Sequence, residues 1–390
     1  MPDGSDQDAR LSIRLETSIA SIPAAEWDAC NGPGAPFTSH SFLRILEESG
    51  SVGDGTGWSP HHMAVRDGNG RLVACAPLYL KSHSYGEYVF DHGWANAWQQ
   101  AGGRYYPKLQ LSVPFTPVTG RRLLLSAGAP EGTLELMMAA LAKITGDNRL
   151  SSAHVTFPTK AEFDAFGKAG WLQRTGVQFH WENRGYGSFD DFLATFSSRK
   201  RKAVKKERRT VAESGLELLT LTGAELKPEH WDVFYRFYID TSDRKWGSPY
   251  LTHEFFHLLG AEMADQVVLV MARDNGRWVA GALNLLGGDT LYGRNWGSRG
   301  DYPYLHFEAC YYRAIEFAIE RGLARVEAGA QGQHKIQRGY LPVPTYSAHW
   351  IPNASFRTAV ADFLDREREE MEEEIALLAE ESPYRKDGES

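Results

Sequence analysis

Residues 327–340, EAGAQGQHKIQRGY, concentrate groups that can transfer protons or bind anions. His334 is a natural proton shuttle, because an imidazole titrates near neutral pH without any perturbation. Lys335 and Arg338 are three residues apart and could grip one anionic group if the segment turns helical. The alternative is a polar surface loop. We expect an active-site loop in which Lys335 and Arg338 bind the cofactor and Tyr340 contacts the substrate.

The strand predicted just before this loop, ARVEAGA (324–330), places the charged residue Glu327 between the apolar residues Val326 and Ala328. Side chains alternate along a strand, so Glu327 and Gly329 should share one face, with Val326 and Ala328 on the other. A charged residue inside a central strand favours a functional role. Glu327 is therefore a candidate catalytic carboxylate.

A helix predicted at about 305–321 contributes a second carboxylate. At 100° per residue, Glu308 falls on the apolar stripe with Tyr312 and Ile315. A lone buried carboxylate there would have a raised pKa, which suits a general base near neutrality. The alternatives are that Glu308 reaches solvent at the helix end or pairs with an arginine. His306, in the first turn, is either a further catalytic candidate or a capping and packing histidine.

Aromatic and cationic side chains precede that helix on a predicted strand at 290–297. Strict alternation would place Tyr292, Arg294 and Trp296 on one face. Arg294 is then either a cofactor-binding cation or a structural cation stacked between aromatic rings. Tyr292 and Trp296, together with Trp246 and Tyr311, are candidates for substrate contact.

Two hairpins of the same design occur in the two halves of the chain. MAVRDGNGRLVACAPLYL (63–80) and VMARDNGRWVAGALNLL (270–286) both place Asn-Gly between apolar runs, which is the strongest short-range hairpin signal. The order of the following elements also repeats, with a helix near 132–144 and a strand at 153–158 after the first hairpin. We predict an α/β (α+β) chain of two duplicated units, each a mixed, mostly antiparallel sheet flanked by helices.

Between the two copies lies a basic segment, residues 187–215, which is predicted to form one helix capped by Ser188 and stopped at Gly215. Eight of the eleven residues at 199–209 are basic. The alternative to a binding role is a solvated charged face. A run this dense in an acidic chain favours contact with phosphate, from a nucleotide cofactor, tRNA or anionic lipid. Lys200 and Arg201 are therefore candidate cofactor-binding residues.

Composition limits the other possibilities. The chain has 390 residues, 42% of them hydrophobic, and a net charge of −8, which argues against general nucleic-acid binding. No apolar run approaches a membrane span, and no signal-peptide pattern opens the sequence. Three widely spaced cysteines, Cys30, Cys75 and Cys310, suggest neither a disulfide framework nor a metal site. We therefore expect a cytoplasmic protein, with peripheral contact at the anionic inner-membrane surface as an open option.

The duplicated unit, the basic helix and the run WGSRGDYPYLHFEACYYRAIEFAIERGLARVEAGAQGQHKIQRGYLPVPT resemble bacterial predicted N-acyltransferases with tandem GNAT-like domains. That family is distantly related to the Fem transferases. The stretches YYPKLQLSVPFTPVTGRRLL (105–124) and QFHWENRGYGSFDDFL (178–193) are also similar to it. The resemblance implies transfer of an acyl group to an amine, with acyl-CoA as co-substrate and no tightly bound cofactor. The branch of bacterial ceramide synthases would join a fatty acyl thioester to a sphingoid base.

One departure concerns the donor. Ordinary GNAT enzymes hold the CoA pyrophosphate in an Arg/Gln-x-x-Gly-x-Gly/Ala loop at a helix N-terminus. The corresponding junction here, WGSRGDYPYLHFEA, lacks that spacing. Two alternatives to the lipid reaction therefore stay open: Fem-like transfer from aminoacyl-tRNA to a peptidoglycan precursor, and a non-catalytic module that recognises peptidoglycan or lipid.

The predicted organisation has five parts. These are an N-terminal tail (1–25), a first unit (26–185), a basic linking helix (186–215), a second unit carrying the site (216–365), and an acidic C-terminal helix and tail (366–390).

Overall fold

The computed structural model describes residues 11–245, 249–329 and 332–385. The strands are β1 (Ser12–Glu16), β2 (Trp58–Pro60), β3 (His62–Arg66), β4 (Leu72–Ala76), β5 (Leu78–Lys81), β6 (Lys108–Leu111), β7 (Leu124–Leu125), β8 (Ala153–Thr156), β9 (Leu172–Glu182), β10 (Glu217–Thr222), β11 (Val267–Asp274), β12 (Arg277–Gly287), β13 (Thr290–Ser298), β14 (Arg325–Glu327) and β15 (Leu341–Trp350).

The α-helices are α1 (Ala24–Asn31), α2 (His40–Glu48), α3 (His92–Gln100), α4 (Thr133–Asp147), α5 (Lys160–Lys168), α6 (Phe189–Ala194), α7 (Ser198–Ala212), α8 (Pro228–Lys245), α9 (His253–Glu262), α10 (Leu305–Phe307), α11 (Arg313–Glu320) and α12 (Ala354–Glu380). A π-helical turn, Glu308–Tyr312, joins α10 to α11. A 3₁₀ helix spans Gln333–Arg338.

The chain divides into two compact units. The first comprises residues 1–176 and 345–371, and the second comprises residues 177–344 and 372–390. These bounds differ from the predicted ones because β9 and β15 each continue from one unit into the other. Residues 180–182 pair with β14 in the second unit, and residues 347–350 pair with β8 in the first.

The first unit contains two groups of strands. One has the order β1-β3-β4-β7, and the other contains β2, β5, β6, β8 and β15. Within the second group only β6 and β8 run parallel, and helix α4 lies between them in the chain. Parallel neighbours require such a crossover. Apolar residues of α4, including Met137 and Leu141, pack into the core beneath these strands.

The second unit repeats this arrangement. Strands β10, β11, β12 and β13 are antiparallel neighbours, β13 and β14 are parallel, and β14 pairs antiparallel with β9. The crossover from β13 to β14 passes through α10, the π-helical turn and α11. The predicted hairpins are present as β3–β4 and β11–β12. The prediction of two α/β units, each with a mixed, mostly antiparallel sheet flanked by helices, is confirmed.

The basic segment differs from its prediction as a single linking helix. It forms two helices, α6 and α7, because Phe196 is buried and its backbone forms a β-bridge with Tyr384. Ser188 caps α6 as predicted, with its side chain accepting from the N–H of Asp191. Val204 of α7 packs in the core of the second unit. The segment is therefore part of that unit rather than a linker.

The two terminal segments also differ from their predictions. Residues 12–16 are not part of a tail, since they form β1 and pair with β3. The C-terminal helix begins at Ala354, twelve residues before the predicted position, where the Asn353 side chain accepts from the N–H of Phe356. Among the described helices, none combines the length and the apolar character needed to cross a membrane.

Candidate active site

A row of three polar side chains crosses the sheet of the second unit. Tyr292 of β13 lies opposite Glu327 of β14, and Glu327 lies opposite His180 of β9. Directly opposed residues on neighbouring strands project from the same face. The fold therefore brings together a hydroxyl, a carboxylate and an imidazole that are far apart in the sequence.

The neighbouring row of residues shows which face of this sheet packs against the core. Leu291, Val326 and Trp181 occupy the next register positions, and all three are fully buried in the core beside α6 and α11. Ala328 also packs against that cluster. The alternation predicted for Glu327 and Val326 is thus present, with Glu327 on the face away from this core.

The parallel pairing of β13 and β14 stops at this row. Strand β13 continues to Ser298, whereas its last partner on β14 is Glu327. Gly293 permits the close approach at this point, since a Cβ there would lie 3.3 Å from the Glu327 carbonyl oxygen. Gly329 then adopts a φ of 79° and turns the chain. Glu327 therefore lies where the two strands diverge.

Glu327 has the electrostatics of a general base. It is 4% exposed, and burial raises the pKa of Glu327 from 4.5 to about 7, while the charges of Arg325 and Arg294 limit the rise. Its Oε2 accepts no hydrogen bond from the described part of the chain and lies 3.7 Å from His180 Nε2. A carboxylate with a free oxygen and a pKa near 7 can accept a proton at neutral pH.

The two neighbours of Glu327 are uncharged at neutral pH. Burial, together with the charges of Arg325 and Lys335, lowers the pKa of His180 to about 3. Burial and the negative charge of Glu327 raise the pKa of Tyr292 to about 12. A neutral imidazole gives the carboxylate no ionic stabilisation, which helps to keep the pKa of Glu327 high.

Arg294 sits at a β-bulge, and this corrects the predicted face. Gly293 pairs with Asn284 and Asn295 pairs with Leu283, so Arg294 is the extra residue. A bulge shifts the alternation by one position. Trp296 is therefore on the opposite face from Tyr292 and packs beside Ala282 and Ala309. Trp296 is a partly buried residue that packs against the core, whereas the charge of Arg294 acts on Glu327.

Glu308 is buried, as predicted, but it is not a lone carboxylate. Arg208 of α7 donates to both of its oxygens, at 2.9 and 3.1 Å, and Arg313 Nε lies 3.3 Å away. Arg208 also donates to Glu316 at 2.8 Å. A carboxylate held by two guanidinium groups is not available as a free base. Of the two alternatives for Glu308, the structure shows the one in which it pairs with an arginine. Glu308 is therefore a structural residue.

The predicted active-site loop forms the 3₁₀ helix Gln333–Arg338. The ring of His334 lies 2.9 Å, through Nε2, from the hydroxyl of Tyr311 in the π-helical turn. Burial holds the pKa of Tyr311 well above its ordinary value, so this hydroxyl keeps its proton. His306 packs between Trp296 and Tyr311, with ring centroids 5.3 Å from each. The structure thus pairs His334 with Tyr311 and gives His306 a packing position.

Lys335 is the second strongly perturbed group of the site. It is 2% exposed, its Nζ donates to the Gly329 carbonyl at 2.9 Å, and burial lowers the pKa of Lys335 to about 7. Its charge contributes to the low pKa of His180. Lys335 therefore lies within electrostatic reach of the polar row rather than on an exposed anion-binding surface.

Other predicted anion-binding residues already have ionic or hydrogen-bond partners. Arg338 donates to Glu207 at 2.7 Å and stacks over the Phe307 ring, 3.4 Å from its centroid. Lys200 donates to Gln337. These contacts attach the 3₁₀ helix to α7, so the guanidinium group of Arg338 is already engaged and is not available to bind a ligand. Arg201 is half-buried on the same helix.

The aromatic residues predicted to contact the substrate occupy different kinds of position in the structure. Tyr340 is fully buried in the core, and its hydroxyl donates to the Tyr311 carbonyl at 3.3 Å, which makes it a packing residue. Tyr311 is largely buried but directs its hydroxyl to His334. Trp246 lies outside the described residues.

A cavity of about 570 Å³ opens along α7. Lys205, Arg208 and Arg209 contribute positive charge, while Phe189, Leu193 and Leu218 contribute apolar surface. This volume is within the range of small-molecule sites. Glu308 lines the cavity but Glu327 does not, so the cavity can bind a ligand without supplying the base.

The junction between β13 and α10 explains the missing pyrophosphate loop. Helix α10 has only three residues and passes directly into the π-helical turn, and Tyr304 precedes it with a φ of 63°. A row of free N–H groups at the start of a long α-helix is what holds a pyrophosphate in that architecture. This junction does not provide one.

The first unit carries different residues at the equivalent row. Gln110 of β6 lies opposite His154 of β8, and His154 lies opposite His349 of β15. His154 Nδ1 is 2.7 Å from His349 Nδ1, and burial lowers the pKa of His154 to about 3. This row has no carboxylate. Acidic groups do lie beside it, because Asp91 Oδ2 is 3.8 Å from His154 Nε2 and burial raises the pKa of the neighbouring Glu87 to about 7. The placement of the site in the second unit therefore stays a prediction.

Sequence reasoning did not assign a catalytic environment to His180. Its segment, QFHWEN, contributes only to the family resemblance, and its neighbour Trp181 is a core residue. Gln178, whose Oε1 lies 3.4 Å from His180 Nε2, was also not singled out. The usable signal was alternation, because Gln178 and His180 share one strand face while Phe179 and Trp181 share the other.

Comparison with solved structures identifies similar folds. The crystal structure of FemX is 11% identical with a TM-score of 0.54, covering 87% of this chain and 98% of that chain. The C-terminal domain of a putative lysylphosphatidylglycerol synthetase from Agrobacterium fabrum is 10% identical with a TM-score of 0.54, covering 90% and 97%. L-PGS from Bacillus licheniformis is 10% identical with a TM-score of 0.50, covering 81% and 93%. At these identities the likeness establishes the fold alone.

Comparison by sequence gives the family. No curated protein matches the chain. Residues 18–386 match the FemAB-like family, which is described as peptidoglycan biosynthesis/recognition. The match spans nearly the whole sequence and agrees with the Fem-like resemblance of the motifs. This protein therefore belongs to the FemAB-like family.

Proposed function

We propose that this protein is an N-acyltransferase that forms an amide from a long-chain acyl thioester and a lipid amine, with a sphingoid base as the expected acceptor. The observation that carries the proposal is Glu327. Its buried carboxylate has an oxygen without a hydrogen-bond partner among the described residues, a pKa near 7, and a position where β13 and β14 diverge.

Amide formation requires a base of this kind. An ammonium acceptor must lose a proton before its nitrogen lone pair can attack the thioester carbonyl carbon. In the proposed step Glu327 accepts that proton and returns it to solvent, and the amine nitrogen forms the C–N bond. The bonded nitrogen carries a second proton, which it loses as the C–S bond breaks. That proton passes to the departing thiolate, so the products are the amide and a free thiol. Tyr311 is not its source, because burial holds the pKa of Tyr311 well above that of a thiol.

The cavity along α7 can bind an amphiphilic ligand at a place separate from Glu327, beside α6. It combines a basic wall containing Lys205 and Arg209 with an apolar wall containing Leu193 and Leu218. Each CH₂ group buried on an apolar wall contributes about 0.8 kcal/mol. A ligand with a phosphate or sulfate-like head and an alkyl chain uses both walls, whereas a small polar ligand uses only one.

A second candidate function is aminoacyl transfer from tRNA. It is favoured by the family, by the absence of a pyrophosphate loop, and by the exposed cations Arg199, Lys202 and Lys206 on α7. The similar structures named FemX and lysylphosphatidylglycerol synthetase fit this candidate, the second being named for a lipid. Peripheral attachment of α7 to an anionic lipid surface is compatible with either function.

The experiment that tests the proposal is thiol release by purified protein given acyl-CoA and a sphingoid amine. We expect release that needs both substrates, an amide product detected by mass spectrometry, and a rate that rises from acetyl to about C16 acyl chains, because each CH₂ adds binding energy. Cys310 is partly accessible and will react with a disulfide reagent, so enzyme-only release must be subtracted.

The alternative donors provide the decisive comparison. Amide formation only in the presence of charged tRNA would replace the thioester donor with an aminoacyl donor and keep the acyl-transfer chemistry. A preference for acetyl-CoA and small amines would remove the lipid assignment. Absence of amide with every donor would leave a non-catalytic recognition module.

A further inference from the structure

Helix α9 begins with a pattern that the proposed function does not use. Its first residues, His253-Glu254-Phe255-Phe256-His257, match the H-E-x-x-H spacing. Residues four apart lie on one face of an α-helix, so the two imidazoles can bind one metal ion. Thr252 caps the helix by accepting from the N–H of Phe255, so both histidines lie in regular helix. Their ring centroids are 4.4 Å apart.

A third donor comes from the preceding helix. Asp232 of α8 directs one oxygen, Oδ1, at both histidines, 2.9 Å from His253 Nε2 and 2.9 Å from His257 Nε2. The three donor atoms all lie within 4.8 Å of one another. Two helices thus aim three ligand atoms at a single point.

The spacing suits a transition-metal ion. Zinc binds imidazole nitrogen and carboxylate oxygen at about 2.0–2.2 Å, so tetrahedral ligand atoms are about 3.3 Å apart. The two separations between Asp232 Oδ1 and the imidazole nitrogens, 2.9 Å each, are a few tenths of an ångström shorter than that value. Two imidazoles and one carboxylate favour Zn²⁺, Co²⁺ or Ni²⁺ over Mg²⁺ and Ca²⁺, which prefer oxygen ligands alone.

The helices that carry the donors are held in place by packing. Trp231 of α8 fits against Gly260 of α9, where a Cβ would approach the indole to 2.0 Å. Phe234 packs on Phe256 with ring centroids 5.4 Å apart, and Tyr235 packs edge-on against His253 at 5.2 Å. A donor set on two packed helices is preorganised, which lowers the entropic cost of binding an ion.

We propose that Asp232, His253 and His257 form a binding site for one divalent transition-metal ion, with Zn²⁺ as the best-fitting ion. The ion joins α8 to α9 and keeps at least one coordination position for water, because the side chains of His253 and Asp232 are 48% and 47% exposed. This site is distinct from the polar row at Glu327 and does not depend on the proposed acyl transfer. The absence of a cysteine cluster does not bear on it, since none of its donors is a thiolate.

The test uses untagged full-length protein stripped with a chelator. We expect one equivalent of Co²⁺ to give visible absorption bands of a low-coordinate site, and Zn²⁺ to displace it with a Kd on the order of 1 µM or lower. Asp232→Asn, His253→Gln and His257→Gln should each weaken binding by about tenfold or more. Zn²⁺ should also raise the Tm of the wild type and not that of His257→Gln.

The control is His92→Gln, which removes an exposed histidine from the first unit and should bind as the wild type does. All three site residues are partly exposed, so folded variants are expected, and circular dichroism checks this. Wild-type affinity in the Asp232 and His257 variants would overturn the proposal. So would the absence of saturable binding below about 1 mM Zn²⁺.

Discussion

Replacing Glu327 with glutamine should lower activity while raising stability. The carboxylate is the proposed base, so its loss should reduce kcat by about 10²- to 10⁴-fold. Burying the charge is costly, because the pKa of Glu327 is about 7 in the fold against an ordinary 4.5. That difference corresponds to about 3 kcal/mol, since one pKa unit is worth about 1.4 kcal/mol.

The sign of the stability effect follows from proton binding. Between pH 4.5 and about 7 the unfolded chain has lost the Glu327 proton and the folded chain has kept it, so the wild type loses stability as pH rises through this window. The glutamine variant lacks this loss. We expect its free energy of unfolding in urea to exceed that of the wild type by up to about 3 kcal/mol at pH 8, and the excess to vanish near pH 4.

The pH dependence of kcat should report the ionisation of the same carboxyl group, that of Glu327. At saturating amine, kcat of the wild type should fall about 30-fold from its plateau by pH 5.5, because only about 3% of a base with a pKa of 7 is then ionised. A carboxylate with its ordinary pKa would lose less than about 10% of the rate. The matched control is Glu182→Gln, which removes an exposed carboxylate near the end of the same sheet. A Glu327→Gln variant with near-normal kcat, or one that is less stable at pH 8, refutes the role of this residue.

Three further expectations concern neighbouring groups. Arg208→Gln should lower the free energy of unfolding by about 3 kcal/mol, because Glu308 loses its bidentate partner. In the double variant Arg208→Met, Glu308→Met, urea titration should show that most of this lost stability is recovered. Lys335→Met should be most stabilising below pH 7 and lose up to about 5 kcal/mol of that advantage by pH 10.5, because the pKa of Lys335 is lowered to about 7 by burial. Urea denaturation at several pH values measures this, and a difference that does not vary with pH would contradict it. Three cations of α7 are exposed: Arg199, Lys202 and Lys206. Replacing them with glutamine should raise the KM for the phosphate-bearing donor and weaken the salt dependence of that KM. An unchanged KM would show that these cations do not bind the donor.

Local patterns predicted most of the fold. The hairpins depend on Asn-Gly turns, and the alternation of Val326 and Glu327 depends on a period of two, so both are readable from neighbouring residues. Trp296 was misplaced because one extra residue at Arg294 reverses the alternation, and the sequence does not mark such a bulge. The break between α6 and α7 depends on a bridge to Tyr384, which is remote in the sequence.

The site was less predictable because its electrostatics come from distant residues. Helical periodicity correctly placed Glu308 on a buried face, but its partner Arg208 lies 100 residues earlier. The row at Glu327 likewise depends on the register between β9 and β14. The His253 and His257 spacing is visible in the sequence, whereas the third donor, Asp232, is assigned only once α8 and α9 are packed.

The π-helical turn Glu308–Tyr312 makes this part of the chain unusually sensitive to changes of length. A π turn contains one residue more than an α turn, so deleting a single residue there would allow a continuous α-helix. The residues of α10 would then rotate by about 100° relative to α11. That rotation would carry His306 away from Tyr311 without altering any side chain. Insertions and deletions, more than substitutions, are therefore the changes by which this loop-to-helix junction can acquire or lose its present geometry.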